Sequence, residues 1–150
     1  MDGVQGKALL PEDGETVIEL KAQQRPGVES HELMIFKRQD ACHEMAFLGV
    51  ELDEGEGLLE LPETSKPFFR KIEVYGDSVS AGEVSEAVDF VGKPDPEHDG
   101  QYSNSWYSYA WMTARKLNAQ IHDIAQGGIA LLDHTGWFCE PGAMGMEINT

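Results

Sequence analysis

Apolar and polar residues alternate over 15–21, where Thr16, Ile18 and Leu20 share one side and Glu15, Val17, Glu19 and Lys21 the other. Successive side chains of a strand point to opposite faces, so this pattern predicts a strand with one face buried. Segment 32–37 predicts a second strand, apolar on both faces, and 45–52 a third, with Ala46, Leu48, Val50 and Leu52 in phase. A short fourth strand is expected at 58–61. Gln24-Arg25-Pro26-Gly27 and Asp53-Glu54-Gly55-Glu56-Gly57 mark turns between them, after a Gly-, Pro- and acid-rich lead-in at 1–14. Strands at this spacing predict an antiparallel β-sandwich over 1–66. The number of strands is low for a sandwich, so further strands are expected upstream.

The period changes after 62–67, a Pro-flanked polar stretch that reads as a linker. A strand is predicted at 71–75, followed by a long acidic loop at 83–104. A helix is predicted over 105–117, with Trp106, Tyr109, Ala110, Thr113 and Leu117 on the stripe that should pack on the sheet. Asn104 or Ser105 can cap its start, and Arg115 and Lys116 suit its negative end. A second strand follows at 120–125. Strand, helix, strand is a parallel crossover, so 67–150 reads as the start of an α/β domain. Two recognisable strands are too few for a parallel sheet covered on both faces, and the domain is expected to continue beyond residue 150.

The most informative chemistry lies at 71–82, where the β-formers Ile72-Glu73-Val74-Tyr75 break into Gly76-Asp77-Ser78. Ser78 falls just past the carboxyl end of a strand, where open α/β sheets gather their chemistry, and is the best nucleophile candidate. An ordinary turn stands beside that reading, since Gly, Asp and Ser all favour turns. The segment is not the G-x-S-x-G elbow of α/β-hydrolases, because position 80 is Ser. Gly128, in Gln126-Gly127-Gly128 after the second strand, is a candidate oxyanion donor, because glycine lets the backbone approach a bound group. Gly127 is the alternative if the register slips by one, and an ordinary strand-end turn remains open.

Composition narrows the partners. Eleven Lys and Arg against 27 Asp and Glu leave a formal charge of −16, which repels nucleic acid and anionic membranes and is compatible with a neutral substrate. With 41% hydrophobic residues the chain is not a disordered acidic tail. The two cysteines, Cys42 and Cys139, form no C-x-x-C pair and are expected as reduced thiols. Neither Cys42-His43-Glu44 nor His122-Asp123 has a zinc or calcium spacing, so no metal and no cofactor are expected. The first residues lack the regions of a signal peptide, which implies a cytoplasmic protein, or an extracellular one whose export signal has been removed. Oligomeric state is not legible.

The segment I-E-V-Y-G-D-S-V-S-A-G resembles the first sequence block of the SGNH (GDSL) esterase superfamily. Residues 104–118 are similar to the helix that follows this block in carbohydrate esterase family 2, and 119–131 to its next strand and oxyanion-glycine block. Residues 33–52 resemble the end of that family's N-terminal sandwich. The resemblance runs over roughly 15–140, and its specificity lies in the ordered combination. It implies a jelly-roll-like sandwich followed by a flavodoxin-like hydrolase domain, and a serine esterase acting on acetyl or other short acyl esters of carbohydrates such as xylan. Ser78 would be the nucleophile, the Ser78 and Gly128 N–H groups the oxyanion donors, and Gly76 and Asp77 the supporting turn. Trp137, with Phe138, is placed to line a substrate pocket.

The superfamily's third oxyanion donor, an asparagine in a later block, has no counterpart here. Its base is a histidine late in the hydrolase domain, often three residues after an aspartate. In carbohydrate esterase family 2 a backbone carbonyl can replace that aspartate. Of the five histidines, His31 and His43 fall in the sandwich, His122 in a strand, and Asp133-His134 has the wrong spacing. Asp95-Pro96-Glu97-His98 fits the spacing but lies in the acidic loop between the first two blocks, where the superfamily places no base. The base is therefore expected outside this chain. The rival reading is a non-catalytic carbohydrate-binding protein or an inactive gene fragment.

Overall fold

The computed structural model describes residues 1, 3–8, 10–11, 13–22, 26–40, 44–60 and 68–146. The regular elements are β1 (Arg70–Gly76), α1 (Ser78–Ala81), α2 (Tyr109–Leu117) and β2 (Ala119–Ala125). Single 3₁₀ turns lie at Val88–Phe90, Ser105–Tyr107 and Trp137–Cys139. The chain separates into two units, Met1–Phe36 and Lys37–Thr150.

The described residues of Met1–Phe36 form no strand, and neither do 44–60. The strands expected at 15–21, 32–37, 45–52 and 58–60 are therefore absent, and the jelly-roll-like sandwich is not formed among the described residues. Alternation specifies a face, but a strand exists only when a neighbour completes its N–H and C=O ladder. Without one, Val17 stays 82% and Leu58 78% exposed. Residue 61, the first half of the 24–27 turn and the linker expected at 62–67 lie outside the described residues.

The α/β part follows the sequence pattern closely. β1 and β2 pair in parallel, in register from Arg70↔Ala119 to Gly76↔Ala125. Ile72 and Val74 are half-buried between exposed Lys71, Glu73 and Tyr75. The predicted helix divides in two. Asn104 accepts from Trp106 N at the start of the 3₁₀ turn, and Ser108 accepts from Trp111 N at the start of α2. Asn118 closes α2 in the left-handed conformation, donating to Ala114 O and Arg115 O.

The buried stripe of α2 is not the expected one. Ala110 and Ala114 are buried, whereas Tyr109, Thr113 and Leu117 are exposed. Small side chains let the helix approach the strands closely, while the larger ones splay to its flanks. Trp106 stacks on Trp111 with ring centroids 6.0 Å apart, and the Arg115 guanidinium lies 4.0 Å over the Trp106 ring. Buried apolar positions among the described residues are Ala81, Ala110, Ala114, Ala119 and Met146. Residues 37–40 belong to this unit, since Ser105 N donates to Arg38 O at 2.9 Å and Arg38 pairs with Glu86.

One inward position of β2 is a carboxylate. Asp123 pairs with Val74, and its Oδ1 is buried without a hydrogen-bond partner among the described residues. Loss of hydration pushes its pKa up from 3.8 to about 6. The fold thus favours the protonated acid. The stability this brings is full below pH 3.8 and is lost as pH rises through about 6. Asp123→Asn should therefore raise stability at pH 7 relative to the parent and flatten its pH dependence between those values. Urea midpoints across pH 3.5–7.5 would check this.

Candidate active site

The turn after β1 is built by three residues with separate tasks. Gly76 has no room for a side chain, because a Cβ there would collide with the side chain of Ser80. Asp77 is the N-cap of α1, its Oδ1 accepting from Val79 N at 3.1 Å. That bond turns the carboxylate toward the backbone, so Asp77 orders the turn. Ser78 is then the first residue of α1, half-buried, and its hydroxyl has no hydrogen-bond partner among the described residues.

The far end of α1 is fixed as firmly. Gly82 adopts φ 77°, and a Cβ there would lie 2.6 Å from Asn104 O. Asn104 N donates to Gly82 O at 2.9 Å, joining the segment before α2 to the end of α1. Ser80, buried, shares a 2.7 Å hydrogen bond with Tyr109 OH. An open cavity of about 370 Å³ lies beside α1, lined in part by Ser78, Glu83, Asp95, His98, Tyr107 and Tyr109.

His98, set aside on sequence order, thus lines the same cavity as Ser78. Its Nδ1 lies 2.6 Å from Glu83 Oε1, and its Nε2 is 3.9 Å from Asp95 Oδ2. The other histidines are placed differently. His122 is exposed on β2, 3.9 Å from Glu73, and His134 Nδ1 accepts from Gly142 N at 3.3 Å. His31 lies in the Met1–Phe36 unit, and His43 is outside the described residues.

The ladder brings the second glycine block to the same sheet edge. Gly76 pairs with Ala125, and Gln126 N donates to Gly76 O at 3.3 Å. Gly127 N donates to Asp40 Oδ2 at 2.6 Å. The Gly128 N–H has no partner among the described residues. Gly128 adopts φ 79°, and a Cβ there would lie 2.7 Å from Trp137 Cε3. Trp137 N in turn donates to Gly128 O at 2.7 Å. Trp137 therefore packs on Gly128 and is not among the residues lining the cavity at Ser78.

Three contributors had no local signal in the sequence. Asp40 reaches Gly127 across 87 positions, Glu83 is one acid in an acidic loop, and Tyr109 reads as a core residue. At Gly128 the left-handed backbone and the Trp137 ring both oppose a side chain. Gly128→Ala should cost about 1–3 kcal/mol, read from urea unfolding of the α/β unit.

No protein-family model matches the chain. It is 38% identical to the cellulase/esterase CelE of Acetivibrio thermocellus, over 71% of this chain and 12% of that protein. It is 32% identical to the acetylxylan esterase / glucomannan deacetylase of Cellvibrio japonicus, over 78% of this chain and 32% of that protein. Among solved structures it is similar to a family two carbohydrate esterase from Clostridium thermocellum in complex with cellohexaose. That match has 36% identity and a TM-score of 0.48, over 60% of this chain and 25% of the other. A family two carbohydrate esterase from Cellvibrio japonicus matches with 35% identity and a TM-score of 0.38, over 48% and 20%. The chain spans 12% and 32% of the two curated relatives' lengths. Its homologues are carbohydrate esterases of family 2, the family that the motifs at 71–82 and 104–131 resemble.

Proposed function

We propose that this chain carries the nucleophile of a serine esterase that hydrolyses acetyl or other short acyl esters of carbohydrates. One observation carries the reading. Ser78 opens α1 at the carboxyl end of a parallel strand, unpartnered and beside a cavity, in a segment shared with carbohydrate esterases. Ser78 Oγ attacks the acyl carbonyl and passes its proton to a base. The C=O pair moves onto oxygen, and the N–H groups of Ser78 and Gly128 receive that oxyanion. Gly127 is disfavoured as the second donor because its N–H is already given to Asp40. Collapse of the tetrahedral species breaks the ester C–O bond, the base returns its proton to the departing sugar oxygen, and water, deprotonated by the same base, then releases the acid from the acyl-serine.

In this reading the base is a histidine outside residues 1–150. Residues 67–150 belong to the hydrolase domain, and 1–66 to an N-terminal sandwich completed by strands from elsewhere, except 37–40, which pack on the hydrolase unit. The charge of −16 accords with a neutral carbohydrate ester. A non-catalytic carbohydrate-binding role is the second reading, favoured by the lack of any histidine bonded to Ser78 among the described residues.

The test is Ser78→Ala in the full-length gene product, assayed on acetylated xylan and on p-nitrophenyl acetate. Turnover should fall on the order of 10³-fold or more. Activity retained at a tenth of the parent's overturns the nucleophile assignment. A parent protein that binds xylan without hydrolysing it favours the second reading.

A further inference from the structure

The cavity beside Ser78 holds a second arrangement that the hydrolytic step does not use. Glu83 and His98 both line it, and they meet at 2.6 Å through Glu83 Oε1 and His98 Nδ1. An ionised carboxylate only accepts, so the proton of this bond sits on Nδ1. Nε2 is then an acceptor in the neutral ring and a donor in the charged one. Asp95 Oδ2, 3.9 Å away, is too far to occupy it. The carboxylate sets the ring's tautomer and orientation, as second partners of functional histidines do.

A hydroxyl, which both donates and accepts, can pair with either form. Glu83 and Asp95 put negative charge on the same wall and Asp95 adds a further acceptor, while neither lysine nor arginine lines the cavity among the described residues. A carboxylated or phosphorylated ligand would meet repulsion there, whereas a neutral polyol would find acceptors for its hydroxyls. Tyr107, 41% exposed, offers an aromatic side chain at the same wall.

Resting on the esterase reading, we infer that His98, held by Glu83, is a substrate-positioning residue. It hydrogen-bonds, through Nε2, a free carbohydrate hydroxyl near the ester under attack. The site thereby selects sugar esters over simple aryl or alkyl esters. Its partner Glu83 acts through the ring rather than on the substrate.

The test compares His98→Ala, His98→Gln and Glu83→Gln with the parent in the full-length gene product. Two substrates are used, an acetylated xylo-oligosaccharide and p-nitrophenyl acetate, which has no sugar hydroxyl. Loss of one hydrogen bond should lower the sugar-ester to aryl-ester ratio of kcat/KM by about 3- to 10-fold in His98→Ala, chiefly through KM. His98→Gln, whose side-chain amide can accept or donate near the Nε2 position, should recover part of that ratio. A ratio unchanged in His98→Ala overturns the inference. So does a collapse of kcat on both substrates together, which would make His98 the proton acceptor for Ser78.

Binding separates this inference from the reading beneath it. In the Ser78→Ala background, His98→Ala should weaken the oligosaccharide Kd by about the same factor, measured by calorimetry. An unchanged Kd overturns the positioning role whatever the fate of the esterase assignment. Turnover that survives Ser78→Ala overturns the nucleophile assignment alone.

Discussion

The site depends on one constraint, the parallel register that sets Gly76 beside Ala125. Parallel pairing sends both strands out of the sheet at the same edge, so the segments that follow them begin as neighbours. Ser78 lies two positions beyond one strand end and Gly128 three beyond the other. The proposed nucleophile and the proposed oxyanion donor, far apart in sequence, thus start from a common edge. Small residues then hold the layers close. Ser80, Ala81, Ala110 and Ala114 are buried where α1 and α2 pack, and the Ser80–Tyr109 hydrogen bond ties the two helices together.

The acidic character of the chain has a local use at this edge. Asp77 accepts from Val79 N, Asp40 from Gly127 N, and Glu83 engages His98. Each carboxylate fixes a donor that would otherwise be free to reorient. Asp40 has the largest consequence, because it occupies Gly127 and leaves the Gly128 N–H available. Asp123 is the exception. It sits on the inner face of β2 without a partner for Oδ1 among the described residues, and loss of hydration raises its pKa.

Local pattern made β1, β2, the end of α2 and the turn at Ser78 legible, because period and capping chemistry act within a few residues. The start of α2 was less so. Both Asn104 and Ser108 are good caps, and the chain uses each in turn, one for a 3₁₀ turn and one for the helix. The apolar stripe misled because size, not hydrophobicity alone, decides which side chains fit against a close-packed sheet. Ala114 is buried where Thr113 and Leu117 were expected. In 15–21 and 45–52 alternation was visible but pairing was not, since pairing depends on another segment. Asp40 and His98 were illegible for a related reason: their roles arise from contacts with Gly127 and Glu83, which no local spacing encodes.

The central claim is that Ser78 is the residue that becomes acylated. Incubation of the full-length gene product with a fluorophosphonate, followed by peptide mass spectrometry, tests it most directly. The account predicts one phosphonyl adduct, on the peptide containing Ser78, formed more slowly when an acetylated xylo-oligosaccharide is present. An adduct on another serine, or none under conditions where the protein hydrolyses esters, would contradict it.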